Sequence, residues 1–196
     1  MPIILPNPCK QEVLRYLQKW NEMENYRLQE EALDKLFLSL APENKNIYDI
    51  LIKASALNDF YSTNIYSIFT VAKHIRSLHI DKRLQGGDVS LVPEMQRVVV
   101  GGKEKNFYSF STKYCSHHNP DAFPMYDSYV DKMLIYFRDR EDTKFASFAN
   151  KELKDYTRFK AVLEQFREYF GLQEFTLKQI DKYLWQLGKE YFPNKY

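Results

Sequence analysis

The sequence predicts an all-α fold, a single compact domain of about ten helices spanning residues 1–196. Apolar residues recur every three or four positions through most of the chain, which is the spacing of an amphipathic helix. Only six glycines occur, so few positions need unusual backbone angles. Alternation of apolar and polar residues, the mark of a half-buried strand, is scarce.

The first half of the chain contains four predicted helices. Three lie in the first quarter, where the apolar residues form three groups: Val13, Leu17 and Trp20; Ala32, Leu33, Leu36, Phe37 and Leu40; and Ile47, Ile50, Leu51 and Ala54. The fourth is predicted over residues 63–78, with Thr63 as its N-cap and with Ile65, Phe69, Ala72 and Ile75 facing inward.

Two glycine pairs divide the middle of the chain. After Gly86-Gly87, Asp88 can cap a helix that continues through residues 89–99, although the valines at 98–100 could instead be extended. After Gly101-Gly102, a helix is predicted over residues 105–116. A proline-containing turn follows at residues 119–124, and a further helix begins at Asp127.

The C-terminal part predicts an antiparallel pair of helices within residues 150–192. Gly171 separates two apolar stripes: Phe159, Val162, Leu163, Phe166 and Phe170 before it, and Leu177, Ile180, Leu184, Leu187 and Tyr191 after it. We expect this pair to pack on the rest of the domain.

Charge and cysteine usage exclude several classes of protein. The net charge is only +2, so a nucleic-acid partner would have to be held by a local basic patch. Cys9 and Cys115 stand far apart without CxxC pairing, which excludes a disulfide framework and favours a reducing compartment. Apolar stretches are too short to span a bilayer, so we expect a soluble, cytoplasmic protein without membrane contact. The sequence does not indicate an oligomeric state.

A metal site is not expected, although Cys115, His117 and His118 cluster in the sequence. Adjacent histidines on one helix point in divergent directions, and no fourth ligand is evident. In the last turn of a helix an imidazole interacts favourably with the negative end of the dipole. We therefore expect neither a metal nor another cofactor.

The segment from residue 98 to residue 130 resembles the helix-hairpin-helix DNA glycosylase superfamily, in particular 8-oxoguanine glycosylase and endonuclease III. A glycine turn precedes a lysine-containing helix, a proline-containing loop follows, and Pro124, Asp127 and Val130 open the next helix in that superfamily's pattern with one residue inserted. Upstream, residues 50–59 resemble the helix that opens its domain and ends in a polar turn. The resemblance covers residues 47–134.

This resemblance implies a protein that extrudes a damaged or modified base from duplex DNA and cleaves the bond to its sugar. Asp127 would be the carboxylate that stabilises the cationic sugar. Lys113 would be the amine that forms a Schiff base, with Lys105 as the second candidate. These lysines precede Asp127 by 14 and 22 residues. We favour Lys113 because its serine-rich, aromatic helix face would desolvate an amine.

The same resemblance assigns DNA contacts to five residues. A tight turn at Gly101 and Gly102 before a helix would let backbone N–H groups approach a phosphate, and Lys103 and Lys105 would add positive charge. Asn58 would fill the gap left by the extruded base.

Each assignment has a structural alternative. Asp127 can be an ordinary N-cap, Lys113 a solvated lysine, and Asn58 a turn residue. The alternative function is a non-catalytic helical module that binds DNA or another protein.

Overall fold

The computed structural model describes residues 5–193 and confirms the predicted helical fold class. Its ten α-helices within these residues are α1 Lys10–Glu22, α2 Glu24–Lys35, α3 Ile47–Phe60, α4 Ile68–Ser77, α5 Asp81–Gln85, α6 Leu91–Met95, α7 Tyr108–His118, α8 Ser128–Asp139, α9 Tyr156–Tyr169 and α10 Leu177–Tyr191. A π-helical turn at Leu36–Leu40 continues α2, and a 3₁₀ turn at Asn150–Lys154 precedes α9. Two short strands, β1 Arg97–Val100 and β2 Lys103–Asn106, form a hairpin.

The chain divides into two compact units. The first combines the described residues up to Glu24 with those from Tyr126 onward, and the second is Asn25–Met125. The boundary at Tyr126 falls inside the predicted 47–134 core, whereas the predicted 150–192 pair falls within the first unit. That residues 1–196 form a single domain stays a prediction.

In the first unit, α10 packs against α1, α8 and α9. The starts of α8 and α10 have side-chain caps, since Asp127 accepts from the N–H of Tyr129 and Thr176 from that of Gln179. Gly171 has a φ of +67°, in the left-handed region where glycine ends helices without strain. The two helices predicted on either side of it are confirmed as α9 and α10.

In the second unit, α7 packs against α3, α5, α6 and the π-helical turn. Nine of its eleven residues are buried, polar ones among them. A helix enclosed in this way must find partners for its polar groups within the protein, because water does not reach them.

The helix predicted over residues 63–78 begins later, at Ile68. Thr63 is not its N-cap: the Thr63 hydroxyl and the Ile65 N–H both donate to the side-chain oxygen of Asn58, at 2.7 and 2.9 Å. These hydrogen bonds stabilise a loop in place of the first helical turn, and within this loop Ser62 and Asn64 have positive φ. Phe69, predicted to face inward, is 60% exposed.

The Gly101-Gly102 turn joins two strands, and the extended alternative for residues 98–100 is confirmed. Val98 pairs with Lys105 and Val100 with Lys103. Both glycines have positive φ, +57° and +76°, as a two-residue type I′ hairpin turn requires. We predicted that a helix bearing Lys103 and Lys105 follows this turn, and that prediction is wrong. Both lysines lie on β2, because the β-branched valines of β1 favour a hairpin, and α7 begins only at Tyr108.

None of the helices among residues 5–193 combines the length and the apolar character that crossing a bilayer demands.

Substituting Gly188 tests the contact between α8 and α10. A Cβ at this position would lie 2.8 Å from the Tyr129 Cβ and 3.0 Å from the Tyr129 carbonyl oxygen. Alanine usually stabilises a helix interior relative to glycine, but here we expect Gly188→Ala to lower the free energy of unfolding by about 1–3 kcal/mol in urea denaturation. Gln165→Ala, on an exposed face of α9, is the matched control and should change it by less than about 0.5 kcal/mol. A stabilised Gly188→Ala variant would contradict this packing.

Candidate functional site

The candidate site is built on two polar stripes of α7. Ser109, Lys113 and His117 follow one another at intervals of four residues, and so do Tyr114 and His118. Residues four apart lie on one face of a helix, so each stripe gathers its own partners. We call the first group, with Tyr61 and Asp34, the Lys113 cluster. The second, with Asn44, Lys53 and Asp81, is the Asn44 cluster.

Asn44 is the centre of its cluster and is only 3% exposed. Its backbone N–H and side-chain amide donate to the Asp81 carboxylate at 3.0 and 2.7 Å. Its side-chain oxygen accepts from the Lys53 amine at 2.8 Å and from the Tyr114 hydroxyl at 2.6 Å. Both the N–H groups and the oxygen of the side-chain amide thus have hydrogen-bond partners. Through these bonds Asn44 connects the loop that precedes α3 with three helices, α3, α5 and α7.

Lys53 is a fully buried amine with three acceptors. Its Nζ lies 3.1 Å from the Glu43 carbonyl oxygen, 2.8 Å from the Asn44 side-chain oxygen and 3.2 Å from Nε2 of His118. An ammonium has three N–H donors, so these three contacts match its capacity. Burial lowers the pKa of Lys53 to about 8, although the nearby carboxylates of Asp81 and Asp49 oppose this shift.

His118 is neutral in this cluster. Burial, with smaller contributions from the neighbouring Lys53 and His117, lowers its pKa to about 3. The Asn44 amide and the Lys53 amine are both donors at 3.2 Å from Nε2, so Nε2 must accept and the ring proton is assigned to Nδ1.

Lys113 is also buried, with 3% exposure. Its Nζ donates to the Ser109 hydroxyl at 2.6 Å and lies 5.3 Å from the centre of the Tyr61 ring. The alternative of a solvated lysine on a helix face is therefore wrong. Of the groups beside this amine, Ser109 belongs to α7, whereas the Tyr61 ring belongs to the segment that follows α3.

His117 links Tyr61 to a carboxylate within the Lys113 cluster. Its Nδ1 lies 3.2 Å from an oxygen of Asp34, and its Nε2 lies 3.0 Å from the Tyr61 hydroxyl. A carboxylate can only accept, so Nδ1 carries a proton, and in the neutral ring Nε2 accepts from the hydroxyl of Tyr61. The imidazole is buried while Asp34 is partly exposed, so this arrangement can exchange a proton with solvent through the carboxylate.

The predicted DNA contacts all lie in the second unit. Gly101 and Gly102 form the tip of the hairpin, where an added Cβ would meet nothing within 4 Å. Lys103 and Lys105 are exposed on β2, on the same face and about 7 Å apart along the strand. Asn58 holds the loop that follows α3, as its structural alternative stated.

Asp127 lies in the first unit and caps α8, where its carboxylate accepts from the Tyr129 N–H at 2.8 Å. The capping alternative is confirmed, and a capping carboxylate is held rigidly. Its pairing with Lys113 in one site stays a prediction.

The partners that surround α7 were not predicted from the sequence. They are Asn44, Lys53, Tyr61 and Asp34, which lie 56 to 83 positions from the α7 residues that they bond. The one signal available was the four-residue spacing along α7, which marks two polar faces of one helix. Among residues 5–193, no three histidine, cysteine or acidic side chains are arranged to hold a metal ion.

These features define an α-helical protein whose second unit is built around a buried polar helix. Residues 12–122 match the model of the protein family described as HI_0787_N, N-terminal domain, and the chain belongs to that family. A Haemophilus influenzae protein described as "Uncharacterized protein" is 51% identical over 162 residues, which cover 82% of this chain and 72% of the relative. No solved structure matches the chain. The resemblance to helix-hairpin-helix glycosylases stays a prediction.

The buried amine of Lys53 should make the free energy of unfolding rise with pH. Its pKa is about 8 in the folded protein against 10.5 for an ordinary lysine, so between these values the unfolded chain binds more protons and stability rises with pH. Relative to Lys53→Met, the free energy of unfolding of the natural protein should gain up to about 3 kcal/mol across this interval. Lys105→Met, which removes an exposed lysine, should show no such trend. Urea denaturation at several pH values measures the free energy of unfolding of each variant. If the difference between the natural protein and Lys53→Met is the same at every pH, the burial of a charged amine is contradicted.

The cap of α8 gives a second prediction. Asp127→Ala removes the acceptor for the Tyr129 N–H and should lower the free energy of unfolding by about 1 kcal/mol. Asp127→Asn keeps an acceptor oxygen in place and should lose less than half of that. Thermal unfolding followed by circular dichroism compares them, and equal losses in both variants would show that the charge rather than the cap matters.

Proposed function

We propose that this chain acts on DNA containing a damaged or modified base, as a glycosylase or glycosylase/lyase whose reacting amine is Lys113. One observation carries this proposal: the Lys113 amine is buried and held between the Ser109 hydroxyl and the Tyr61 ring. Burial disfavours the charged form of an amine, and only the neutral form is a nucleophile. The resemblance to helix-hairpin-helix glycosylases supplies the substrate class.

In the proposed reaction the target nucleotide is first extruded from the duplex. The neutral Lys113 amine attacks the anomeric carbon of its sugar, the new C–N bond forms, and the bond to the base breaks. The base leaves with the electron pair and takes up a proton, while the attacking nitrogen loses one. Ring opening then gives an iminium, a Schiff base, which water hydrolyses or which eliminates the 3′ phosphate.

The neighbours of Lys113 have separate tasks in this scheme. Ser109, one helical turn away, holds the direction of the amine and can pass on the proton that nitrogen loses. Tyr61 covers one side of the amine, and its hydroxyl is held by His117. His117 and Asp34 offer a base with a path to solvent, which a proton-releasing step requires.

The β1–β2 hairpin supports contact with a nucleic-acid backbone. Arg97, Lys103 and Lys105 are exposed on these two short strands, and Arg97 forms an ion pair with Glu104 at 3.5 Å. The resulting local excess of positive charge is what a chain of net charge +2 needs to bind phosphates. Such contacts fix position on DNA without reading its sequence.

A binding module without chemistry is the second candidate. It is favoured by the fact that Asp127 and Asn58 both have structural tasks, as a helix cap and as the bond acceptor of a loop. The two candidates differ in whether a covalent intermediate forms.

Borohydride trapping distinguishes them. Incubation with duplex DNA carrying an abasic site, followed by reduction, should give a covalent complex with the natural protein and none with Lys113→Met, because methionine fills the same space without an amine. Lys105→Met, the other candidate amine, is the matched control and should be trapped as well as the natural protein. Unfolding curves of both variants separate loss of chemistry from loss of fold. Undiminished trapping of a folded Lys113→Met would reject Lys113 as the amine, and no trapping of the natural protein would leave the binding module as the function.

The role of Asp127 is measured with the same substrates. If its charge stabilises a cationic sugar, Asp127→Asn should slow base release by about 10²–10³ with little loss of stability, since the amide keeps the cap. If Asp127 is a cap alone, base release should be unchanged.

A further inference from the structure

A surface of the first unit combines three aromatic rings with three lysines, and we call it the aromatic–lysine surface. The rings of Trp20 and Trp185 meet edge to face with centroids 5.8 Å apart, and the Tyr129 ring lies 6.4 Å from that of Trp185. A lysine amine lies over each ring: Lys182 over Trp20 at 4.7 Å, Lys189 over Trp185 at 4.8 Å, and Lys132 over Tyr129 at 5.2 Å.

The order of residues on α10 explains how this surface forms. Lys182, Trp185 and Lys189 are spaced by three and four residues and therefore share one face of the helix. Gly188 lets α8 approach α10 so closely that a Cβ would meet the Tyr129 Cβ at 2.8 Å. This close approach places Tyr129 beside Trp185.

The rings of this surface are not core residues. Leu184 and Leu187 of α10 are fully buried, whereas Trp20, Tyr129 and Trp185 are all partly exposed. The lysine side chains over these rings are flexible and keep their amines toward water, so a ligand can displace them.

The six residues that define the surface include three lysines and no acid, so their formal charge is positive. Of the acids on the same helices, Glu190 forms an ion pair with Lys19 at 2.7 Å and Asp131 with Lys154 at 3.0 Å. A partner that complements the surface must offer anionic groups alternating with flat faces. Single-stranded nucleic acid does so, because its phosphates alternate with exposed bases that stack on aromatic rings. In a duplex the faces of the bases are hidden.

We propose that the aromatic–lysine surface binds single-stranded nucleic acid. Bases stack on Trp20 and Trp185, and the lysine amines leave the rings to contact phosphates. This binding is a property of the first unit and goes beyond the function proposed for Lys113, on which it does not depend.

The two tryptophans of the chain both lie on this surface, so intrinsic fluorescence reports on it alone. Titration with a single-stranded oligothymidylate of about 12 nucleotides should quench this fluorescence to saturation, and added salt should weaken the binding. A duplex of the same length should quench much less. Linear polyphosphate, an anion without bases, should leave the emission nearly unchanged.

Two pairs of substitutions locate the binding. Lys182→Gln with Lys189→Gln should raise the dissociation constant at least about tenfold, whereas Lys73→Gln with Lys82→Gln, two exposed lysines on α4 and α5 of the other unit, should leave the quenching curve unchanged. Lys113→Met should bind as the natural protein does, which separates this proposal from the proposed chemistry. Absence of quenching at low salt, equal quenching by duplex or polyphosphate, or an unaffected Lys182→Gln, Lys189→Gln variant would each overturn the proposal.

Discussion

The second unit depends on the burial of helix α7. This helix is enclosed on nearly all sides although much of its sequence is polar, so its polar side chains depend on protein partners. Among the described residues of α7, the buried Ser111 hydroxyl is an exception that has no hydrogen-bond partner. The need for partners explains features that lie far apart in the chain. The loop before α3 is held by Asn44, α3 provides Lys53, and α5 provides Asp81. Removing one of these groups leaves a buried polar atom without its partner, which costs more than the bond itself contributes.

The second unit contains two buried lysines, Lys53 on α3 and Lys113 on α7, and their neighbours differ. Lys53 has three acceptors for its three N–H groups, an arrangement that gives it a structural task, and burial lowers its pKa to about 8. Lys113 donates to the Ser109 hydroxyl and lies beside the face of the Tyr61 ring. Burial alone would not distinguish the two lysines. Lys113 is the proposed reacting amine because it lies on the helix for which the resemblance to helix-hairpin-helix glycosylases implies a reacting lysine.

The periodicity of apolar residues predicted local structure, but it did not predict contacts between residues that lie far apart in the sequence. The helical class, the C-terminal pair and the cap at Asp127 follow from spacing and from residues within one turn. The late start of α4 could not be predicted in this way, because hydrogen bonds to the Asn58 side chain replace the first turn of the predicted helix. The extended conformation of residues 98–100 was an open alternative, since valines beside two glycines also fit the end of a helix. The second strand of the hairpin, Lys103–Asn106, was not predicted. The link between Asp34 and His117 joins residues 83 positions apart, and no pattern within a single sequence reports such a pair.

The most direct test of this account is to find which lysine becomes attached to DNA. The complex trapped by borohydride on an abasic-site duplex can be digested and its modified peptide identified by mass spectrometry. The account predicts one modified residue, Lys113, in the peptide that contains α7. Attachment to Lys53, or to the exposed Lys103 or Lys105 of the hairpin, would contradict the claim that the buried face of α7 supplies the reacting amine.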